Sequence, residues 1–314
     1  MRPYRLIAPA KINLLLEIIG NRPDGYHELV MVLQSIDLAD EIEIKPVSGD
    51  RIALQCDHPQ VPSDETNLAY RAAKLMQENF PGHGGLEISI QKRIPIGAGL
   101  AGGSTDAAAV LVGLDLMWSL GLTQEDLHCL AAKLGSDVPF CIAGGTALAL
   151  GRGEELSPLT DLDQLYAVLA KYRSLSVSTP WAYQTYREKF GHAYAQDPSA
   201  QEARRRTGPS VPLLSAIAHR NGLAIAQALH NDLEKVVLTA HPKVAQLRET
   251  LANKSALGGM MSGSGPTVFA LADNSQDAQQ IASQLSQELP DPDLDVWVTK
   301  LIAHGIHLAP TDEG

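Results

Sequence analysis

One segment of this 314-residue chain constrains its fold more than any other: Lys92-Arg-Ile-Pro-Ile-Gly-Ala-Gly-Leu-Ala-Gly-Gly-Ser-Thr-Asp106. Four glycines fall within seven residues, directly before two hydroxyl residues. Glycine lets backbone approach a phosphate oxygen without a Cβ clash. The apolar run that follows predicts a helix from about Ser104 to Trp118. The loop therefore feeds a helix N-terminus, where free N–H groups and the positive dipole end favour an anion. A tight turn under a helix is the plainer reading, and the density of glycines before Ser104-Thr105 weighs against it.

Three known loop types can be compared with it. Gly97, Gly99 and Gly102 satisfy GxGxxG, but a dinucleotide fold needs an acidic residue ending the next strand about 20 residues on, and here that stretch is helical. A Walker loop needs Gly-Lys before its Ser or Thr, whereas Gly103 runs straight into Ser104. A protein-kinase loop needs a Val-Ala-Ile-Lys strand afterwards, and none follows. The remaining unit is a glycine loop on a helix N-terminus. There Ser104 or Thr105 can contact a phosphate or its Mg²⁺, and Asp106 is either a cap or part of the metal shell.

An overall balance of 25 basic and 36 acidic residues, a net charge of −11, argues against a nucleic-acid-coating role. Phosphates must then be bound locally, by backbone N–H groups and a few placed cations. With 45% hydrophobic and 19% charged residues the chain has a globular balance, and its length favours two domains. Cys56, Cys129 and Cys141 form no CxxC pair or zinc spacing, which fits a reducing compartment. The basic-then-apolar start is broken by Lys11 and Asn13 and has no cleavage site, and no run reaches membrane-span length. The expectation is a soluble cytoplasmic protein, or a stromal one if a transit peptide was removed, with no nucleic-acid or membrane partner.

Strands are expected at residues 6–19, 29–36, 40–45 and 86–90, with a turn at Asn21-Arg-Pro-Asp-Gly25. Helices are expected at 66–79 and 104–118, and from Thr123, where Thr123 and Asp126 form a weak capping box, to a stop at Gly135. A Gly-rich hinge at 144–153 puts the domain boundary near 150–160. Beyond it come a strand (166–170), a helix (180–190), a polar stretch at 191–212 read as a mobile loop, helices at 217–229 and 243–251, a hairpin across 258–271, a helix and a last strand at 296–302. The fold class is mixed α+β.

Two further positions carry possible chemistry. In Pro9-Ala-Lys-Ile-Asn-Leu14, period-2 geometry sets Lys11 and Asn13 on one face and Ile12, Leu14 and Leu16 on the other. Asp137, in Gly135-Ser-Asp-Val-Pro-Phe140, lies on a short link after a helix stop. Alone, the first reads equally as a solvated edge strand and the second as an N-cap or Asx turn. Together they supply what phosphoryl transfer to a hydroxyl requires, a proton acceptor and a nearby positive charge. Sequence alone does not bring them into contact.

Pro9-Ala-Lys-Ile-Asn13, residues 95–107 and the segment Gly-Gly-Met-Met-Ser-Gly-Ser-Gly-Pro-Thr-Val-Phe at 258–269 resemble, in order, the motifs of the GHMP small-molecule kinases. Asp24-Gly-Tyr-His-Glu-Leu29 and Gly135-Ser-Asp-Val-Pro-Phe140 narrow the resemblance to the members that act on a cytidine-diphosphate-linked methylerythritol in the non-mevalonate isoprenoid pathway. The resemblance implies a two-domain GHMP kinase fold, with a ribosomal-S5-like N-terminal domain (1–155), an α+β C-terminal domain (156–314) and the active site between them. It implies ATP and Mg²⁺, the latter with unknown ligands. Asp137 would be the general base, with Lys11 polarising the hydroxyl or steadying Asp137. Pro95, Ile96, Gly97, Ala98, Gly99, Leu100, Ala101, Gly102, Gly103, Ser104 and Thr105 would wrap the ATP phosphates, with Asn67 and Lys92 near the nucleoside. Asn13 would hold the substrate near its reacting end, and Tyr26 and His27 would read the cytidine. Thr179 and Tyr183, in Ser178-Thr-Pro-Trp-Ala-Tyr183, would form a second cytidine wall, with Trp181 as the competing aromatic.

Departures are few. Ala98 and Ala101 stand where many members carry glycine, a change a short side chain should tolerate. Arg204, Arg205 and Arg206 match no motif, and a solvated loop or a phosphate cover are both open. A homoserine-kinase-like enzyme and a non-catalytic nucleotide sensor on the same fold are the competing functions. Tyr26-His27 argues against the first, and the retained Lys11, Asp137 and loop glycines against the second.

Overall fold

The computed structural model describes residues 3–195, 197–255 and 257–310. In chain order the first part comprises β1 (Tyr4–Asn21), β2 (His27–Val47), β3 (Ile52–Cys56), α1 (Leu68–Asn79), β4 (Gly85–Gln91), α2 (Gly102–Trp118), α3 (Gln124–Ala132), α4 (Val138–Ala143), β5 (Thr146–Gly151) and β6 (Glu155–Pro158). There follow β7 (Tyr166–Tyr172), α5 (Thr179–Phe190), α6 (Pro198–Thr207), α7 (Ser210–Ala218), α8 (Gly222–Gln227), β8 (His230–Asn231) and α9 (Glu234–Ala240). The chain closes with α10 (Pro242–Lys254), β9 (Gly259–Met261), β10 (Val268–Ala272), α11 (Ser275–Glu288), β11 (Leu294–Lys300) and β12 (His307–Leu308). Among the described residues no helix is long and apolar enough to cross a membrane.

Two sheets carry this mixed α+β architecture. The larger runs β12-β1-β2-β4-β3, with β5 and β6 continuing beside β2 and β8 parallel to β1. The smaller, antiparallel sheet runs β11-β7-β10-β9. Nearly every residue of β1 is buried, because both faces of the large sheet are covered. Helix α2 lies along β1 and β2, and its tight seating needs a glycine. A Cβ on Gly113 would stand 2.6 Å from Ile44 Cδ1 and 2.8 Å from Leu6 Cδ1. On the opposite side Ile12, Leu14 and Leu15 pack with Leu169, Phe269 and Leu271 of the small sheet. Each such fully buried aliphatic side chain stabilises by about 1.5–3 kcal/mol.

Four expectations need correction, the first being that the helix read at 217–229 is the end of α7 at Ala218 and a separate α8. Residues 29–36 and 40–45 are parts of one strand, β2. Its polar break at Asp37 marks where the strand changes partner, from β5 at 29–34 to β4 at 41–47, and not an end. A register shift in β1 between Asn13 and Leu15 puts Leu14 and Leu15 in the same core cluster. Leu16 is thereby turned to the side of Lys11 and Asn13, where all three line one cleft. In the polar stretch 191–212, read as a mobile loop, the described residues include a 3-10 turn (Gly191–Ala193), α6 and the start of α7. Its arginines meet carboxylates: Arg204 Nε donates to Glu17 Oε1 at 2.8 Å and Arg205 pairs with Glu28. Arg206 pairs within its own helix with Glu202 at 2.9 Å.

The capping box is present, with Asp126 N–H on Thr123 Oγ1 at 3.1 Å and Thr123 N–H on Asp126 Oδ2 at 3.0 Å. The hairpin of β9 and β10 and the turn at Asp24-Gly25 also stand where the sequence puts them.

Candidate active site

The glycine loop is locked from both sides. Gly99 has φ +74°, and a Cβ there would stand 2.3 Å from the Ser262 carbonyl oxygen. Ser262 Oγ donates to the Gly99 carbonyl at 3.1 Å, and Lys11 N–H to the Leu100 carbonyl at 3.2 Å. The 258–269 segment thus supports the loop from the far side of the cleft. Asn231, which sequence reasoning missed, anchors that segment by donating to the carbonyls of Met261 and Gly263, each at 2.8 Å. Ala101, the N-cap of α2, sits at φ 59°, ψ 28°, in the left-handed region. Alanine is therefore tolerated there at a cost of about 1 kcal/mol, where glycine would be free.

Lys11 and Asp137 meet. Lys11 Nζ lies 3.5 Å from Asp137 Oδ2, their side chains being 5% and 32% exposed, and 2.8 Å from Asn13 Oδ1. Asp137 is the N-cap of α4 by position, yet its side chain makes no capping bond. The carboxylate is left facing the lysine across the cleft.

Lys92 lines the cleft with its charge already partnered. Its ammonium is buried between Asp40 and Asp106, 2.6 Å from Asp106 Oδ2. Asp40 Oδ1 in turn accepts the N–H groups of Arg93 at 2.6 Å and Ile94 at 2.8 Å, at the root of the loop. This buried brace ties the loop to the first turns of α2. Burial raises the Asp106 carboxyl above its usual range against the pull of Lys92. Burial works against the Lys92 charge as well, but the two carboxylates outweigh it and raise the lysine.

A cleft of about 1030 Å³ gathers these groups. Of the expected site residues it is lined by Lys11, Asn13, Tyr26, His27, Asn67, Lys92, residues 95–104, Asp137, Thr179 and Tyr183. Thr105 is the exception: it is fully buried, its N–H bonds the Ala101 carbonyl at 2.9 Å, and it does not line the cleft. Asn67 is the N-cap of α1, accepting from Ala69 N–H at 2.8 Å and donating to the Pro62 carbonyl at 2.7 Å. Asn67→Ala is expected to cost about 1 kcal/mol in chemical denaturation. It should also raise KM for ATP by loosening residues 60–67 at the cleft wall.

The same cleft also holds an aromatic group. His27 lies 5.1 Å from Tyr183 at a 32° tilt and 5.9 Å from Tyr194 edge-on. Tyr183 lines the cleft, whereas Trp181 packs edge-on against His241. Thr179 shares a 2.8 Å hydrogen bond with Ser264. Two arginines there escaped sequence reasoning, for neither lies in a motif. Arg152 sits 4.9 Å over the Tyr26 ring, and Arg187 Nε donates to His27 Nε2 at 3.3 Å.

Burial, followed by the Arg187 charge, lowers His27 from 6.5 to about 4. The unfolded chain thus binds this proton first, and the His27 contribution destabilises the fold as pH falls through that window. His27→Gln is expected to flatten the stability–pH slope between about 6.5 and about 4, as read by urea denaturation.

A glycine loop on a helix N-terminus, a Lys–Asp pair across the cleft and two α+β sheets around it define a small-molecule kinase of the GHMP type. The sequence matches the GHMP kinases N terminal domain at residues 67–145 and the GHMP kinases C terminal domain at 213–291. A relative from Acaryochloris marina named 4-diphosphocytidyl-2-C-methyl-D-erythritol kinase is 68% identical, covering 98% of this chain and 99% of its own length. A Cyanothece relative of the same name is 61% identical over 99% and 100%. A crystal structure of 4-(cytidine 5'-diphospho)-2C-methyl-D-erythritol kinase superposes with a TM-score of 0.74 at 34% identity, covering 95% and 98% of the two chains. Homoserine kinase from Cytophaga hutchinsonii superposes at 0.76 with 19% identity, covering 98% of each chain, a likeness of fold alone. The chain belongs to the 4-diphosphocytidyl-2-C-methyl-D-erythritol kinases of the GHMP family.

Proposed function

We propose that this chain transfers the γ-phosphoryl group of ATP to the 2-hydroxyl of 4-diphosphocytidyl-2-C-methyl-D-erythritol, in the non-mevalonate route to isoprenoid precursors. The observation that carries the reading is that one cleft gathers a backbone-lined anion loop, the Lys11–Asp137 pair and the aromatic group of Tyr26, His27 and Tyr183. Such a cleft suits two ligands meeting at the lysine, one held by phosphates and one by a pyrimidine, whose faces stack on aromatic rings.

Loop N–H groups and the α2 terminus hold the phosphates in place before reaction, so little reorganisation is needed as charge shifts. Asp137 accepts the hydroxyl proton as the phosphoryl group moves in line, and Lys11 places positive charge beside the reacting oxygens. Asn13, bonded to Lys11, orients the ammonium. The site fits Mg²⁺: Ser104 and Asp106 line the cleft beside the loop, and Asp106 Oδ1 is buried without a hydrogen-bond partner. Those two residues would hold the ion, which would supply positive charge to offset that of the phosphates. We place the reaction in the cytoplasm.

ADP release with a panel of acceptors tests the reading. Turnover with the cytidine compound alone is expected. Turnover with homoserine, mevalonate or galactose would keep the chemistry and discard the substrate, and silence with all four despite ATP binding would favour a sensor.

A further inference from the structure

The cation that meets His27 carries more information than a contact. Arginine has five N–H donors and no acceptor, and it stays charged in proteins. Because Arg187 Nε donates to His27 Nε2 at 3.3 Å, that ring nitrogen must carry the lone pair. The neutral imidazole then holds its proton on Nδ1. A flipped ring would set a C–H against the guanidinium, so the same contact also selects the ring orientation. The guanidinium is itself held, since Arg187 Nη2 donates to the Gly25 carbonyl at 2.8 Å. Tyr183 and Tyr194 confine the ring on other sides. Arg187 thus latches α5 onto the turn before β2 and occupies the Nε2 side of the histidine.

We propose that Arg187 is a positioning residue for base selectivity: it fixes His27 as the Nδ1–H tautomer, a donor suited to the acceptor edge of cytosine and unsuited to uracil. The inference rests on the reading that the cytosine binds beside His27. At pyrimidine position 3 cytosine presents an acceptor and uracil an N–H donor, so a ring locked as donor pairs with one and confronts the other. A histidine free to exchange tautomers would accept either base. A site with a committed polar partner rejects the mismatched ligand far better than an adaptable one.

Arg187 is exposed at the cleft rim, so its replacement leaves the core intact. The experiment combines ¹⁵N NMR of the histidine side chains with competition by CDP and by UDP, in wild type, Arg187→Met and Arg187→Lys. The wild type should show His27 with Nδ1 protonated, its signals moving on addition of CDP, and a preference for CDP over UDP of roughly tenfold. Arg187→Met should show exchanging tautomers and a preference reduced to about twofold, while Arg187→Lys, still purely a donor, should retain the tautomer. An Nε2-protonated wild type, or a methionine variant that keeps both tautomer and preference, overturns the proposal. Equal binding of CDP and UDP in the wild type with His27 signals unmoved would remove the cytidine reading, and this inference with it.

Discussion

Asp137→Ala is expected to lower kcat roughly a hundred- to ten-thousand-fold, the usual contribution of a positioned general base, while ATP still binds. The cleft is lined by three carboxylates from Asp106, Asp137 and Glu188. Asp106 is committed to Lys92 and only 2% exposed, and Glu188 accepts from Gln184 on the surface of α5. Asp137 alone is both accessible and 3.5 Å from the Lys11 ammonium. ATP binding should survive because the phosphate donors are backbone groups on a loop that Asp137 does not touch. Steady-state kinetics with calorimetric titration of ATP separates the two effects. A variant with unchanged turnover would remove Asp137 from the role of base, and one that no longer binds ATP would make it structural.

Lys92→Met is expected to lose about 3–5 kcal/mol of stability, because removing one partner of a buried ionic group strands the others. Asp40 and Asp106 are 0% and 3% exposed in their side chains, and the lysine is their shared cation. Asp40 also holds the two N–H groups at the root of the glycine loop, so the damage should reach KM for ATP. Adding Asp106→Asn to Lys92→Met should recover part of the loss, since a neutral amide tolerates burial better than an unpaired charge. Such neighbours are not additive. Urea denaturation of the single and double variants measures this, and a loss under about 1 kcal/mol would mean that the brace is not a stabilising unit.

These expectations show what could be read from the chain alone. The glycine loop and its helix were legible because loop, hydroxyls and apolar run are consecutive. So was the capping box at Thr123, a four-residue pattern. The Lys11–Asp137 contact was not, because strand β1 and the entry to α4 lie far apart in the chain and meet only in the packed fold. The side on which Leu16 falls was misread because a register shift leaves no local sequence mark. Residues 191–212 read as a loop because their composition is polar. Their order comes from Arg204 and Arg205 finding Glu17 and Glu28, carboxylates far away in sequence. Arg152 and Arg187 share that difficulty, since each owes its role to the residue it faces across the cleft.

The most direct test of the central claim is ³¹P NMR of the product formed from ATP and 4-diphosphocytidyl-2-C-methyl-D-erythritol. The account predicts one new phosphomonoester signal coupled to C2 of the methylerythritol, with the cytidine diphosphate intact and ADP formed in equal amount. A phosphoester on another hydroxyl, or ADP released with inorganic phosphate and no new ester, would contradict it.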